Sequence, residues 1–331
     1  MSIEVLKSGL LSTLQDGGRH GLQHLGVGHA GAMDSNALRL ANYLVGNAAT
    51  AVAMEITLQG PRLRFETPAL IALTGADIDA RIHQNPIPLW RPIVLRAGSE
   101  LVLGGMRIGA RSYLAVAGGI EVARMLGSGS TDINAALGPP SLQVGMRLNC
   151  NPEHRDRYIR LWSALDVGAE KYHAASWWID PAPWFDAGPN IIVHAMRGVH
   201  FAQLDDESQR AFFADEFRID NESNRVGYRL QGPHLKLAAP LELISEGLSA
   251  GTVQLPPSGN AIVLMAEHPT TGGYPRIGHV ASADLAKLAQ ARPGQSLRFT
   301  QIDLVEAQTR YLAQQAEIER LRLAIADHLH D

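Results

Sequence analysis

A six-residue motif occurs twice in this chain, as LQGPRL at residues 58–63 and as LQGPHL at residues 230–235. Each copy precedes an apolar run that ends in glycine, ALIALTG after the first and LELISEG after the second. A proline-containing turn and another apolar run then follow in both places. Self-similarity at a fixed offset is typical of a duplicated structural unit. The sequence therefore predicts two related domains, over residues 1–150 and 188–302.

The apolar runs themselves favour a mainly β fold. They are short, rich in β-branched residues and separated by turns, and the chain contains 32 glycines and 18 prolines. Only a few helices are expected, since capping residues open few segments at helical spacing. The predicted helices begin near Asp34, Asp206, Ser282 and Asp303, and the last is a long C-terminal helix over 303–331. The predicted strands lie at 68–78, 92–104, 111–120, 190–196, 227–232, 241–245, 251–256 and 261–267.

The segment between the two predicted domains has a different composition. Residues 151–187 are polar, rich in tryptophan and without a regular apolar period. We expect this segment to be a linker or an insertion that packs over a neighbouring surface.

Charge and cysteine content exclude several classes of function. The net charge is −4 and no basic block occurs, so nucleic acid and anionic membranes are poor candidate partners. The one cysteine rules out an intrachain disulfide. No apolar run approaches the roughly 20 residues that span a bilayer, and the N-terminus lacks the pattern of a secretion signal. We expect a cytoplasmic protein.

The polar stretch TLQDGGRHGLQHLGVGHAGAMD, residues 13–34, is the first candidate functional site. It holds six glycines and three histidines just after a short apolar opening. Glycine lets the backbone approach a ligand closely, and Arg19 offers a planar fork for a carboxylate or carbonyl. Gln15 and Asp16 stand where they could orient that ligand or relay a proton. An alternative is purely structural, with Arg19 paired to Asp16 and Asp34 acting only as a helix cap.

Two further stretches have the same character. AEHPTTGGYPRIG, residues 266–278, presents Thr270, Thr271 and Tyr274 on a Gly-Gly turn just after a predicted strand. LGSGSTD, residues 126–132, offers hydroxyls and a carboxylate. Each is also compatible with an ordinary turn or cap.

Several familiar motifs are missing. No G-x-x-x-x-G-K-[ST] loop occurs, so a phosphate-binding P-loop is excluded. No H-E-x-x-H or C-x-x-C supports a metal site, and none is expected. Neither a G-x-S-x-G nor a framing motif around Cys150 indicates a nucleophile. The Met-Lys pair that carries attached biotin is also missing, so any biotin would arrive on another protein.

The long motifs resemble one family. TLQDGGRHGLQHLGVGHAGAMD, ANYLVGN, RSYLAVAGGI, LGSGSTD, NRVGYRLQGP and TTGGYPRIGHVASADL occur in this order. The chain resembles, from about residue 3 to 300, the biotin-dependent carboxyltransferase family. That family includes the allophanate hydrolase subunit 2 domain of urea carboxylases, the KipA proteins and the C subunit of prokaryotic 5-oxoprolinase. The resemblance implies two cyclophilin-like β-barrel domains.

The resemblance also implies a function within a complex. A free chain of this kind resembles most the 5-oxoprolinase subunit, which would open 5-oxoproline to glutamate with ATP bound by the complex. Its implied partners are a KipI-type subunit, similar to allophanate hydrolase subunit 1, and a third subunit of the lactam-utilisation type. The alternatives are transfer of a carboxyl group from carboxybiotin to urea or a similar amide, and a KipA-type regulatory partner of a kinase inhibitor.

Site residues follow from the matching motifs. An amide must be held and polarised in either chemistry, and negative charge on oxygen must be stabilised. The residues predicted to take part in catalysis are Arg19, Asp16, Gln15 and Tyr274. The residues predicted to bind substrate are Thr13, His20, Met33, Asp34, Thr131, Asp132, Arg225, Glu246, Thr270, Thr271, Gly272 and Gly273.

Overall fold

The computed structural model describes residues 2–151, 172–184, 188 and 190–330. The chain forms two compact units. The first contains the described residues of 1–18, 34–185 and 317–331, and the second contains those of 19–33 and 186–316. The polar stretch 13–34 thus contributes its first residues to one unit and its loop, 19–33, to the other. The predicted domain limits stay a prediction.

A ten-stranded sheet makes up most of the first unit. Its strand order is β10-β7-β5-β8-β4-β1-β9; β2 pairs with β3, β3 with β8, and β6 with β5. Part of the predicted linker belongs to this sheet, since β10 pairs with β7. The strands are β1 (Ser2–Lys7), β2 (Leu11–Gln15), β3 (Ala53–Thr57), β4 (Arg62–Phe65), β5 (Ala69–Ile82), β6 (Asn85–Pro86), β7 (Ile93–Leu95), β8 (Ser99–Val116), β9 (Arg147–Asn149) and β10 (Tyr172–Ala174).

The two longest strands, β5 and β8, are the centre of this sheet. They pair antiparallel, and their register shifts between Gly75 and Ala80. Gly75 has a φ of +81°, and a Cβ there would lie 2.4 Å from the carbonyl oxygen of Arg111. Only glycine fits that position. Bulges of this kind bend a strand, and the sheet's apolar face encloses one core that includes Leu73 and Leu114.

The second unit is a closed barrel of seven strands in the order β11-β18-β15-β16-β13-β12-β19. The ring closes because β19 pairs in parallel with β11. Phe212 and Phe299 stack in its core with ring centroids 4.8 Å apart. The strands are β11 (Asn190–Arg197), β12 (Phe217–Ile219), β13 (Gly227–Gln231), β15 (Thr252–Gln254), β16 (Ile262–Leu264), β18 (Arg276–Val280) and β19 (Ser296–Gln301). A separate two-stranded sheet joins β14 (Glu246–Gly247) to β17 (Thr271–Gly272).

The described helices begin close to where the capping residues predict. They are α1 (Ser35–Leu44), α2 (Asp206–Ala214), α3 (Leu285–Ala289) and the long C-terminal α4 (Leu304–His330). Asp34 caps α1 by accepting from the Ala37 N–H at 2.9 Å, and Asp205 caps α2 through the Ser208 N–H at 2.8 Å. None of the described helices has the length and apolar character needed to cross a membrane. The prediction of a mainly β fold with a long C-terminal helix is confirmed.

One predicted strand is wrong. Residues 241–245, LELIS, form no strand, and Ile244 is 89% exposed. The alternation of Leu and Glu suggests a half-buried strand, but the segment follows Pro240 and leads into the short β14 instead of the barrel. The second copy of the repeat therefore departs here from the first, whose ALIALTG lies in β5.

Candidate functional site

The polar end of β2 is joined to the LGSGSTD segment. The Asp16 carboxylate accepts hydrogen bonds from the Ser128 and Ser130 hydroxyls at 2.6 Å each. It also accepts from the N–H groups of Gly18, at 2.8 Å, and Gly129, at 2.7 Å. Burial alone would raise the pKa of Asp16, but these donors outweigh it and hold the pKa below its usual value. With its lone pairs engaged, Asp16 is placed to fix the two segments together more than to accept a proton.

Gln15 is held in one orientation by the same pair of segments. Its Nε2 donates to the carbonyl oxygen of Thr131 and to the hydroxyl of Thr13, both at 3.0 Å. Since a carbonyl can only accept, these bonds fix which end of the amide is which. The Oε1 atom is then a buried acceptor without a hydrogen-bond partner among the described residues. An unmet buried acceptor costs about 1–3 kcal/mol, so this oxygen is a candidate ligand contact.

Thr131 and Asp132 complete this arrangement through the backbone. The Thr131 N–H donates to the Leu14 carbonyl at 2.8 Å, and the Leu14 N–H donates to the Thr131 hydroxyl at 3.3 Å. Asp132 accepts from the N–H of Ala135 at 3.0 Å and so closes the turn that follows. The first and third polar stretches of the sequence therefore meet in the first unit.

A buried polar pair that the sequence analysis missed lies beside them. Thr13, Glu55 and Tyr113 are register partners across β2, β3 and β8. The Tyr113 hydroxyl donates to Glu55 Oε2 at 2.7 Å and accepts from the Asp34 N–H at 2.8 Å. Burial, followed by the Glu55 charge, raises the pKa of Tyr113 well above its usual value. The available signal was a single glutamate in the otherwise apolar strand AMEIT.

Met33 and Asp34 occupy structural positions. Met33 packs into the apolar core of the second unit and is 5% exposed. Asp34 caps α1 and is tied to Tyr113 in the first unit. The substrate-binding roles predicted for both residues stay predictions.

The glycine-rich loop 19–33 belongs to the second unit and is bound to itself. Arg19 is 1% exposed, and its backbone N–H donates to the His29 carbonyl at 2.7 Å. His20 and His29 lie edge to face with ring centroids 4.3 Å apart. No group of three histidine, cysteine, aspartate or glutamate side chains is gathered for a metal ion among the residues that the structure describes.

Arg225 anchors that loop from the barrel. Its Nη2 donates to the Gly31 carbonyl at 2.6 Å, and its Nε donates to Glu267 Oε1 at 2.5 Å. The side chains of Arg225 and Glu267 are 4% and 1% exposed. Arg225, one of the predicted substrate-binding residues, is therefore half of a buried ion pair. Glu267 was not among the predicted residues, although it opens the AEHPTTGG stretch.

The remaining predicted residues lie around the small sheet of β14 and β17. Glu246 pairs with Gly272, and Gly247 pairs with Thr271. The Leu248 N–H donates to the Thr270 carbonyl at 2.9 Å, and Tyr274 is 47% exposed beyond the turn. The second polar stretch and Glu246 are thus brought together, in the second unit. Gln15 and Asp16 belong to the first unit and Arg19 to the second.

Cys150 lies apart from these groups and is inert. Its side chain is 1% exposed, and burial raises its pKa to about 12. At pH 8 only about one thiol in 10,000 would be ionised, and the thiolate is the reactive form. We expect native protein to resist a thiol-reactive dye and to take up one equivalent when unfolded in urea. Rapid labelling of the folded chain would contradict this burial.

The comparisons with known proteins place this chain in a family. The family model of the carboxyltransferase domain, subdomains A and B, matches residues 25–301 of this chain. The chain belongs to this family.

Its relatives include whole proteins of the same length. The chain is 40% identical to the C subunit of 5-oxoprolinase from Escherichia coli, over 96% of this chain and 97% of that protein. It is 36% identical to the C subunit of 5-oxoprolinase from Haemophilus influenzae, over 92% and 93%.

A solved structure, the urea amidolyase of K. lactis, superposes with a TM-score of 0.85 at 28% identity. That match covers 96% of this chain and 20% of the larger enzyme.

Proposed function

We propose that this chain is a subunit of a multi-subunit, ATP-dependent 5-oxoprolinase that opens 5-oxoproline to glutamate and is inactive alone. The observation that carries the proposal is the end-to-end similarity to two proteins named as C subunits of 5-oxoprolinase, at 40% and 36% identity. The matches extend over nearly the full length of both proteins. The substrate and the multi-subunit assembly proposed for this chain are inferred from the names of these two relatives.

The geometry at Gln15 supports an amide substrate. A lactam presents an N–H donor beside a carbonyl acceptor, and Gln15 Oε1 is a fixed acceptor excluded from water. Inside a protein a hydrogen bond to such an atom is stronger than in water. We assign the substrate N–H to this oxygen. Asp16 is proposed to hold the β2 end, and with it Gln15, in place, and the binding of a substrate oxygen by Arg19 stays a prediction.

ATP and two partner subunits belong to the proposed complex. We propose that the assembled complex binds ATP. None of the residues named above is proposed to contact it. The proposed partners are a KipI-type subunit and a subunit of the lactam-utilisation type, and the proposed compartment is the cytoplasm. Biotin enters only in the alternative below, carried by another protein.

Carboxyl transfer to urea is the second candidate. Its support is the 30% identity to the urea amidolyase of Lachancea kluyveri, over 97% of this chain and 18% of that enzyme. Urea also presents N–H donors, so Gln15 Oε1 fits either substrate. The free-standing relatives of equal length favour the first candidate.

A reconstitution decides between the two. The chain is mixed with the products of its neighbouring genes; ATP hydrolysis is measured with 5-oxoproline, and the consumption of supplied carboxybiotin is measured with urea. Turnover that depends on 5-oxoproline is the expected result. Turnover with urea, carboxybiotin being supplied, and none with 5-oxoproline would reverse the ranking.

A variant of Gln15 tests the site within the same assay. Gln15→Met keeps the length of the side chain but removes the acceptor, so we expect kcat/KM for 5-oxoproline to fall about tenfold or more. Gln143→Met, the same change at an exposed position of the same unit, is the matched control. Wild-type kcat/KM in a folded Gln15→Met complex would remove Gln15 from the site.

A further inference from the structure

A buried amide donor without a partner lies under the small sheet of the second unit. Gln254 is 5% exposed, and its Nε2 makes no hydrogen bond to any residue that the structure describes. Gln254 was not among the predicted site residues, although Glu246 and Gly272 in the sheet above it were. Leaving such a donor unmet is unfavourable, so the ligand-free chain retains a group that an incoming oxygen atom would satisfy.

The position of Gln254 follows from strand alternation. Val253 points into the barrel core, so Thr252 and Gln254 lie on the outer face of β15. Gln254 pairs with Arg276 on β18, and the register shifts between Val253 and Gln254. Because Gln254 and Arg276 are register partners, their side chains leave the same face of the sheet. Bulges are often found next to functional sites, where they re-aim a side chain.

The cover over Gln254 is thin. We call residues 241–247 and 270–274, which include β14 and β17 and are mostly exposed, the flap. A Cβ on Gly272 would lie 2.9 Å from Gln254 Nε2 and 2.7 Å from Leu248 Cδ1. The flap therefore rests directly on the amide, and a larger residue at position 272 would have to displace the ends of these two side chains. Only two register pairs hold β14 to β17, so little needs to break for the flap to open.

An ion pair closes the flap. Glu246 on β14 pairs with Arg276, whose Nη1 also lies 3.5 Å from the Gly247 carbonyl. The Glu246 side chain is 56% exposed, whereas that of Arg276 is 24% exposed. Exposed ion pairs are weak, so a second carboxylate can replace Glu246 on the guanidinium.

We infer that Gln254 and Arg276 form a carboxylate-binding subsite beneath the flap, with Glu246 occupying it until a small carboxylic acid takes its place. Arg276 supplies the cation and Gln254 Nε2 supplies a neutral donor to one carboxylate oxygen. A guanidinium and an amide N–H together suit a carboxylate better than a neutral carbonyl. The inference rests on the proposed function only for the size of the ligand, since 5-oxoproline carries one carboxylate on a five-membered ring.

Hydrogen exchange of the full-length chain tests the subsite without any activity assay. The reporter is the Leu248 N–H, which closes the flap on Thr270. The probes are 5-oxoproline, cyclopentanecarboxylate, which lacks the lactam, and 2-pyrrolidinone, which lacks the carboxylate. We expect the two carboxylates to change Leu248 exchange at least fivefold and 2-pyrrolidinone to leave it unchanged. No response to either carboxylate, or an equal response to 2-pyrrolidinone, would overturn the subsite.

A Gln254→Met variant supplies a test in which two effects have opposite signs. Removing an unmet buried donor should raise the urea midpoint of unfolding, while the Kd for cyclopentanecarboxylate should weaken about tenfold. Gln203→Met, at an exposed position of the same unit, controls for the substitution. A lower midpoint, or an unchanged Kd, would show that Gln254 is only structural.

The two proposals fail separately. If the reconstituted complex does not turn over 5-oxoproline but cyclopentanecarboxylate still alters the flap, the proposed function is wrong and the subsite stands. If turnover is found and neither carboxylate changes hydrogen exchange at Leu248, the subsite is wrong and the proposed function stands.

Discussion

Replacing Arg225 with methionine is expected to lower the free energy of unfolding by about 3–5 kcal/mol, as for other broken buried ion pairs. The variant removes the guanidinium that pairs with Glu267, whose side chain is 1% exposed. It also removes the donor to the Gly31 carbonyl. Urea denaturation of the full-length chain measures the first effect, and hydrogen exchange of the amides in loop 19–33 measures the second.

A double variant separates these two roles of Arg225. Replacing a whole buried ion pair by apolar side chains is often neutral. Arg225→Met combined with Glu267→Met should therefore recover most of the lost stability, while loop 19–33 stays poorly protected. Equal stability of the single and double variants would show that the ion pair is not what Arg225 contributes. Full loop protection in either variant would show that the loop is held by other contacts.

Asp16→Asn is expected to cost about 3 kcal/mol or more, since hydrogen bonds to a charged group contribute about 1.5–3 kcal/mol each. One carboxylate oxygen accepts from Gly18 and two serine hydroxyls, and the other accepts from Gly129. An asparagine must turn its NH2 group toward one set or the other. Whichever way the amide lies, at least one buried donor then faces a donor.

The pH dependence has a defined sign. Because the folded-state pKa of Asp16 lies below the usual 3.8, the stabilisation is fully present above 3.8 and is lost as the pH falls through the folded-state value. The difference in unfolding free energy between wild type and Asp16→Asn should be constant from pH 7 to about 5 and shrink below 3.8. A gap that widens in acid would contradict the assignment.

The same substitution at a helix cap is the matched control. Asp205 accepts the Ser208 N–H at the start of α2, and an asparagine oxygen can accept it equally well. Asp205→Asn should therefore change the unfolding free energy by no more than about 0.5 kcal/mol. A large loss there as well would mean that the effect at Asp16 is not specific to its four donors.

Local signals predicted the regular elements well. Asp34 and Asp205 cap helices within one residue of the expected starts, because a cap and the turn it closes are neighbours in the chain. Most of the predicted apolar strands were found for the same reason, but β1 to β4, β18 and β19 were not predicted, and β8 joins two segments that were predicted as separate strands. The exception, residues 241–245, shows the limit of alternation as a signal: Leu241 and Leu243 alternate with Glu242 as in a strand, but no strand among the described residues pairs with them.

The sequence indicated which residues belong to the candidate site better than it indicated their hydrogen-bond partners. Gln15 and Asp16 were singled out, yet their partners lie more than 110 residues away at Ser128, Ser130 and Thr131. Glu267 and Tyr113 were missed because their roles depend on partners that folding brings to them, Arg225 and Glu55. Gln254 gave no sequence signal, because what marks it is a buried side-chain donor without a hydrogen-bond partner among the described residues, which only the folded structure reveals.

The seclusion of Cys150 has a practical consequence. Because the single native thiol is expected not to react in the folded chain, one introduced cysteine can be labelled specifically with a fluorophore or spin label. Ser245→Cys would place such a reporter on the flap, and its emission or its distance to a second label would follow the flap's movement in real time. The protein is in this respect already suited to single-molecule observation.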